Sequence, residues 1–303
     1  MRQRLVSLAA ILVVLVLAGH DASRAAGGGA CSTAPRRGNL YVQLRIDGVP
    51  RSAIVHVPRT ARRGARLPLV LAFHGAGGTG SYMASYSTLE LLSDSAGFVS
   101  VFPSAARPHR RWVLAEEDAG GPQDLQFVEQ VLDHAEAIAC VDPTRVYATG
   151  VSNGGGMAAR LGCEMSNRLA AIAPVAGGYS TLDACHPTRP VSVLEIHGTR
   201  DLVVPYAGKP PDGAGSVGGF LGQWTRLDGC GGRPTRNGYG PSSVIFRWPD
   251  CQNGTAVEHI KIYGGGHAWP GARPPDAAPT APISAARAVW SFFRRHSLAP
   301  APG

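Results

Sequence analysis

The chain has 303 residues, of which 44% are hydrophobic, 17% charged and 7% aromatic, a balance that excludes disorder over most of its length and supplies an ample core. Its 39 Gly and 24 Pro imply many turns yet stay below low-complexity composition. The formal charge of +8 is carried almost wholly by arginine, since lysine occurs only at 209 and 261. The basic residues are scattered rather than gathered into a run, so no nucleic-acid partner is expected.

In chain order, Met1-Arg2-Gln3-Arg4 and the apolar stretch over 5–19 have the layout of an export signal, with cleavage expected after Ala25. The stretch is shorter than the ~20 residues a membrane-spanning helix needs, so no stable membrane span is expected. Leu17-Ala18-Gly19 would suit a lipoprotein signal if Cys followed, but His20 stands there, leaving no thiol to acylate. The expected layout is a signal peptide over 1–25, a flexible spacer over 26–39 and one domain over 40–298, in a secreted, extracellular monomer. All six cysteines (31, 140, 163, 185, 230 and 251) follow the expected cleavage site, and an even number in an exported chain favours disulfides. Sequence does not fix their connectivity; short loops favour Cys163–Cys185 and Cys230–Cys251 and leave Cys31–Cys140. No two cysteines have the spacing of a zinc knuckle, and neither a metal nor a cofactor is expected.

Two alternating stretches, 40–46 and 53–57, flank Asp47-Gly48 and predict an antiparallel hairpin. Apolar runs of strand length follow at 67–73, 98–102, 145–149, 171–175, 191–196 and 257–263, the pattern of strands buried on both faces. Helical patterns lie between them at 82–95, 124–139, 154–165, 220–227 and 283–296. This alternation predicts an α/β fold, a mainly parallel sheet covered on both faces with active residues at the carboxyl ends of its strands.

The run 145–149 leads directly into Gly150-Val151-Ser152-Asn153-Gly154, a G-x-S-x-G between strand and helix. Such a turn lifts the serine hydroxyl above the sheet, while the glycines remove side chains that would collide. A serine needs an imidazole base held by a carboxylate, and in this architecture the order is Ser, acid, His. Of Asp183, Asp201, Asp212, Asp228 and Asp250, only Asp201 sits just beyond a core strand, through His197-Gly198-Thr199-Arg200. Of the late histidines, His259 lies in an alternating strand and His296 closes an Arg-rich amphipathic helix, so both are expected at the surface. His267 follows Gly264-Gly265-Gly266 and precedes Ala268-Trp269-Pro270, a loop that can fix an imidazole over Ser152. The oxyanion donors expected are the backbone N–H of Asn153 and that of Ala76, in His74-Gly75-Ala76-Gly77-Gly78. That loop lacks the endings of nucleotide-binding motifs.

Phe73-His74-Gly75-Ala76-Gly77-Gly78, Gly150-Val151-Ser152-Asn153-Gly154-Gly155-Gly156-Met157, His197-Gly198-Thr199-Arg200-Asp201 and Gly264-Gly265-Gly266-His267-Ala268-Trp269-Pro270-Gly271 resemble the poly(3-hydroxybutyrate) depolymerase and feruloyl esterase family. The likeness covers most of the chain after residue 40 and extends to LpqC-like esterases. It implies an α/β-hydrolase fold, a triad of Ser152, Asp201 and His267, and bridges at Cys163–Cys185 and Cys230–Cys251, where family members carry bonded cysteines. The chain departs from the pattern at His20, which removes the anchor of LpqC-like proteins, and at Gln123-Asp124, where relatives carry paired acids. No stretch after His296 is long enough for a polymer-binding domain, so attack on solid polyester is not expected.

The function expected is that of a secreted serine carboxylic-ester hydrolase acting on a small or oligomeric ester, with hydroxyalkanoate, hydroxycinnamate and acetate all open as the acyl group. Trp112 and Trp269 are candidates for stacking on a substrate ring, with buried packing as the alternative. A serine peptidase on the same sheet and a non-catalytic surface-binding module are the competing readings.

Overall fold

The protein is described here by a computed structural model covering residues 29–32, 34–114, 120–179, 185–209, 215–273 and 283–298. The signal peptide expected over 1–25 lies outside these residues, as do Asp183 and Asp212. In chain order the elements are α1 (Gly29–Ser32), β1 (Gly38–Ile46), β2 (Val49–Val57), β3 (Leu67–Phe73), α2 (Gly80–Ser87), α3 (Leu89–Ala96), β4 (Val99–Ser104), α4 (Gly121–Ile138), β5 (Val141–Val151), α5 (Asn153–Glu164), β6 (Ala171–Val175), β7 (Ser192–Gly198), α6 (Val217–Leu227), β8 (Thr235–Gly240), β9 (Ser243–Trp248), β10 (Val257–Ile262) and α7 (Ala285–Phe293).

The strands form one sheet in the order β1-β2-β4-β3-β5-β6-β7-β10-β9-β8. Its middle, from β4 to β10, is parallel, and antiparallel strands flank it at both ends. The two-residue period of a strand explains why this middle is apolar throughout. In β3, Leu69, Leu71 and Phe73 enter one core, and Val70 and Ala72 enter the other. The first core is closed by Phe127, Val131 and Leu132 of α4, Met157 and Leu161 of α5, and Phe220 and Trp224 of α6. The second is closed by Met83 of α2, Leu89 of α3, and Val289, Phe292 and Phe293 of α7.

Three regions differ from the sequence expectation. The single helix expected over 82–95 is two, because Thr88 adopts a left-handed conformation (φ 61°) between α2 and α3. Strands β8 and β9 were not anticipated; β8 reads Thr-Arg-Asn-Gly-Tyr-Gly, is almost wholly exposed and so carries no alternating apolar signal. Within the expected flexible spacer, the described residues 29–32 and 34–39 are tied to the fold. Cys31 is bridged to Cys140, the Arg37 guanidinium donates to Ala61 O at 2.9 Å, and β1 already begins at Gly38.

The other bridges are Cys163–Cys185 and Cys230–Cys251, so no cysteine among the described residues is free. Cys31–Cys140 spans 109 residues and Cys230–Cys251 spans 21. In the chain-entropy account a bridge restrains the unfolded chain more as its loop lengthens, from about 3 kcal/mol near 15 residues to about 4.7 near 100. Replacing Cys31 and Cys140 with Ser should therefore cost more unfolding free energy in urea than replacing Cys230 and Cys251, by about 1.5 kcal/mol. Equal losses would contradict this.

Candidate active site

Strand β5 runs into α5 through Ser152, whose φ of 59° and ψ of −123° lie in a region costly for any residue with a side chain. The turn is locked on both sides: Ser152 N donates to Val175 O at 2.9 Å, and Gly156 N donates to Ser152 O at 3.0 Å. A Cβ at Gly150 would strike Gly154 O and Phe73 O, and one at Gly154 would strike Phe73 O and His74 O. Only glycine allows β5, α5 and the end of β3 to approach so closely.

The loop after β3 is held from beneath. His74 Nε2 accepts from Ala105 N at 3.0 Å, and His74 Nδ1 donates to Gly75 O at 2.7 Å. Burial pushes this imidazole below its ordinary value, which suits a neutral ring with one donor and one acceptor. The indole N–H of Trp112 donates to His74 O at 3.0 Å. Trp112 N in turn donates to Asn153 Oδ1 at 2.7 Å, and Asn153 Nδ2 donates to Trp112 O at 2.9 Å. Asn153 thus clamps the loop carrying Trp112 to the start of α5 through its side chain, while its main chain opens the helix, where partial positive charge gathers. Ala76 is exposed and lines a pocket with Ser152 and Asn153.

Asp201 follows β7 and is buried. Its Oδ1 accepts from Val203 N at 2.9 Å and Val204 N at 2.8 Å. Its Oδ2 accepts from His267 Nδ1 at 2.8 Å, with His197 Nε2 at 3.2 Å. Because a carboxylate only accepts, His267 Nδ1 is the donor in this pair. His267 keeps 20% of its side chain exposed. It lines a cleft of about 630 Å³ together with Ser152, Gly75, Ala76, Tyr82 and Tyr86. The structure therefore joins Asp201 to His267 by a hydrogen bond and brings His267 and Ser152 to one cleft.

Behind Asp201 lies a polar cluster that the sequence reading missed. Glu195 Oε1 accepts from Tyr179 Oη at 2.9 Å and from His197 Nδ1 at 2.9 Å, and His259 Nδ1 stands 2.6 Å from Glu195 Oε2. The hydroxyl of Tyr206 meets His259 Nε2 at 2.8 Å. The one available signal was the alternation of Glu195 and His197 within an otherwise apolar strand. His259, expected at the surface, is only 2% exposed, because β10 is covered by β7 and β9 on its edges and by this cluster on its face. His296 is half-buried, with Nδ1 at 3.1 Å from Ser192 Oγ, and burial pushes it down to about 4. Neither tryptophan offers a face to the cleft, since Trp112 and Trp269 are each 1% exposed. Trp112 packs edge-on against Phe73, and the indole N–H of Trp269 donates to Ser87 O at 3.1 Å, anchoring the His267 loop to α2. Their contribution is support for the loops above.

Residues 51–200 match the family described as esterase PHB depolymerase. The chain belongs to this family. A bifunctional acetylxylan esterase/xylanase of Neocallimastix patriciarum is 30% identical over 218 residues, 70% of this chain and 30% of the relative. Feruloyl esterase B of Piromyces equi is 31% identical over 231 residues, 72% of this chain and 42% of the relative. The chain thus spans less than half the length of these two relatives. Among solved structures, an acetyl xylan esterase from Aspergillus awamori superposes with a TM-score of 0.62 at 16% identity, covering 84% of this chain and 99% of that one, which shows the shared α/β-hydrolase fold. In this PHB depolymerase family member, the matched segment contains Ser152 and ends just before Asp201.

Burial would raise the Asp201 carboxyl, but the hydrogen bonds from His197 and His267 outweigh it and hold it at about 2. A carboxylate lowered by folding adds stability that is complete above its ordinary value of about 3.9 and is lost as pH falls through the lowered one. In urea titrations between pH 4 and pH 2, Asp201→Asn should therefore lose stability less steeply than the wild type. Parallel slopes would show that these bonds add nothing in the folded state.

Proposed function

We propose that the chain is an exported serine esterase that cleaves carboxylic esters through an acyl-enzyme on Ser152. The observation that carries this reading is the strained, glycine-flanked Ser152 sharing a cleft with an imidazole whose far nitrogen is hydrogen-bonded to a buried carboxylate. His267 Nε2 takes the Ser152 proton as Oγ attacks the ester carbonyl, and Asp201 steadies the imidazolium that forms. The N–H groups of Asn153 and Ala76 receive the oxyanion. Collapse of the tetrahedral intermediate expels the alcohol, protonated by His267. Water, deprotonated by the same imidazole, then attacks the acyl-enzyme and releases the acid.

Ester cleavage is favoured over amide cleavage by the names of the relatives, a feruloyl esterase and an acetylxylan esterase/xylanase. One wall of the cleft supports a flat ring in the substrate: Tyr82 and Tyr86 stack at 5.0 Å with their planes 18° apart, and both line the cavity of Ser152 and His267. An aromatic surface of this kind suits a hydroxycinnamoyl or sugar ring better than a short aliphatic chain. Export is supported by the signal-like layout of residues 1–19 and by three bridges, which persist in an oxidising compartment. Among the described residues no helix is long and apolar enough to cross a membrane.

A fluorophosphonate should label the protein stoichiometrically at Ser152, and Ser152→Ala should abolish labelling and lower kcat by about four to six orders of magnitude while melting like the wild type. Absence of label would favour a binding module, and faster turnover of peptide anilides than of p-nitrophenyl esters would favour a peptidase. At equal concentration, methyl ferulate or acetylated xylan should be cleaved faster than soluble 3-hydroxybutyrate oligomers. Tyr82→Ala should raise KM for the ring-bearing substrate alone, and a uniform change across the panel would remove the tyrosine wall from the account.

A further inference from the structure

The hydrogen-bond partners of His197 decide its charge. Its Nδ1 faces Glu195 Oε1 at 2.9 Å. Its Nε2 faces Val204 O at 2.9 Å and Asp201 Oδ2 at 3.2 Å. All of these are oxygens without a proton to give, so a neutral ring would leave one bare nitrogen pointing at acceptors inside a site with no exposed surface. His267 differs: its Nδ1 meets Asp201, no acceptor among the described residues meets its other nitrogen, and the ring lines the cleft.

We propose that His197 is a standing imidazolium, held by Glu195 on one ring nitrogen and by Val204 O and Asp201 on the other, and that it is a positioning residue that tempers the basicity of His267 by sharing the Asp201 carboxylate. This rests on the reading of Ser152, Asp201 and His267 as a triad. A carboxylate beside an imidazole draws a proton toward the ring, and with the cation of His197 on the same Oδ2 that pull is divided between the two rings.

The other groups around His197 agree with this assignment. His259 on β10 sets its Nδ1 2.6 Å from Glu195 Oε2 and 3.3 Å from Glu195 O, and its Nε2 2.8 Å from the Tyr206 hydroxyl. Tyr179 donates to Glu195, and burial first, then the Glu195 charge, keeps that phenol protonated. Tyr206 stands edge-on to the His197 ring at 5.9 Å. Lys261, the register partner of His197 on β10, turns its ammonium over the Tyr206 ring at 4.7 Å. Glu195 and Asp201 thus supply two negative charges, and the standing imidazolium offsets one of them. Burial would drain His197 of its proton, but the hydrogen bonds to Asp201 and Glu195 outweigh it and raise the ring to about 10.

The test has two arms. In ¹⁵N–¹H spectra of the intact protein, both ring nitrogens of His197 should carry protons from pH 6 to about pH 9; one bare nitrogen, or titration near the ordinary histidine value, would overturn the proposal. In the second arm, His197→Gln keeps an N–H donor toward Asp201 and deletes the charge. The acid limb of kcat/KM should then move up by about one pH unit, with KM little changed. A lower kcat with an unmoved limb would mean that His197 only fills space. Should that variant fail to fold, Glu195→Gln, which takes the carboxylate from Nδ1, should make His197 titrate below pH 9, and a ring that stays doubly protonated through pH 9 in that variant would overturn the proposal. A wild type that holds both protons on His197 yet neither hydrolyses esters nor takes up the fluorophosphonate would sink the esterase reading and leave the imidazolium standing.

Discussion

One buried carboxylate gathers the functional end of this molecule. Asp201 receives the N–H groups of Val203 and Val204, the imidazole of His267 and, more distantly, that of His197. These four donors come from the turn after β7, from β7 itself and from the loop after β10. The parallel pairing of β7 with β10 makes this possible, since it places the carboxyl ends of both strands side by side. A buried anion with any of these donors missing would be costly, so the two loops are fixed relative to each other by the need to keep it satisfied. The position of His267 over the cleft follows from that need.

The serine side is fixed by a different kind of constraint. There the limiting quantity is space: β3, β5 and α5 meet so closely that residues 150 and 154 have no room for a Cβ, and the strained conformation of Ser152 is enforced by its neighbours. The loop after β3 is then stitched to the same point through His74, Trp112 and the Asn153 side chain. Electrostatic satisfaction on one side and close packing on the other give two semi-independent supports for one cleft.

Much of this was legible in the sequence. The strands of the parallel middle are continuous apolar runs because both faces are buried, and the glycines around Ser152 are visible as letters. What escaped detection had physical reasons. Strands β8 and β9 pair at an edge, and β8 is held by main-chain bonds to β9 with side chains that carry no pattern. Thr88 breaks a helix through a backbone angle that no side-chain periodicity records. Glu195, His197 and His259 were hidden because a polar residue in a strand is normally read as facing water. Here the polar residues meet one another instead, and only the three-dimensional pairing of β7 with β10 reveals it. For Trp112 and Trp269 the sequence left both stacking on a substrate ring and buried packing open, because position beside the site motifs does not distinguish them, and each lies one layer below the cleft.

The bridge between Cys31 and Cys140 fastens the start of the described fold to the chain immediately before β5, the strand that delivers Ser152. It holds only where thiols are oxidised. In a reducing environment the same polypeptide would present two sulfhydryls at the ends of a long open loop, with α1 untethered from the entry to β5. The stability of this esterase family member is thereby coupled to the redox poise of its surroundings, so that a copy retained inside a cell and one released from it would differ in robustness although their amino acids are identical.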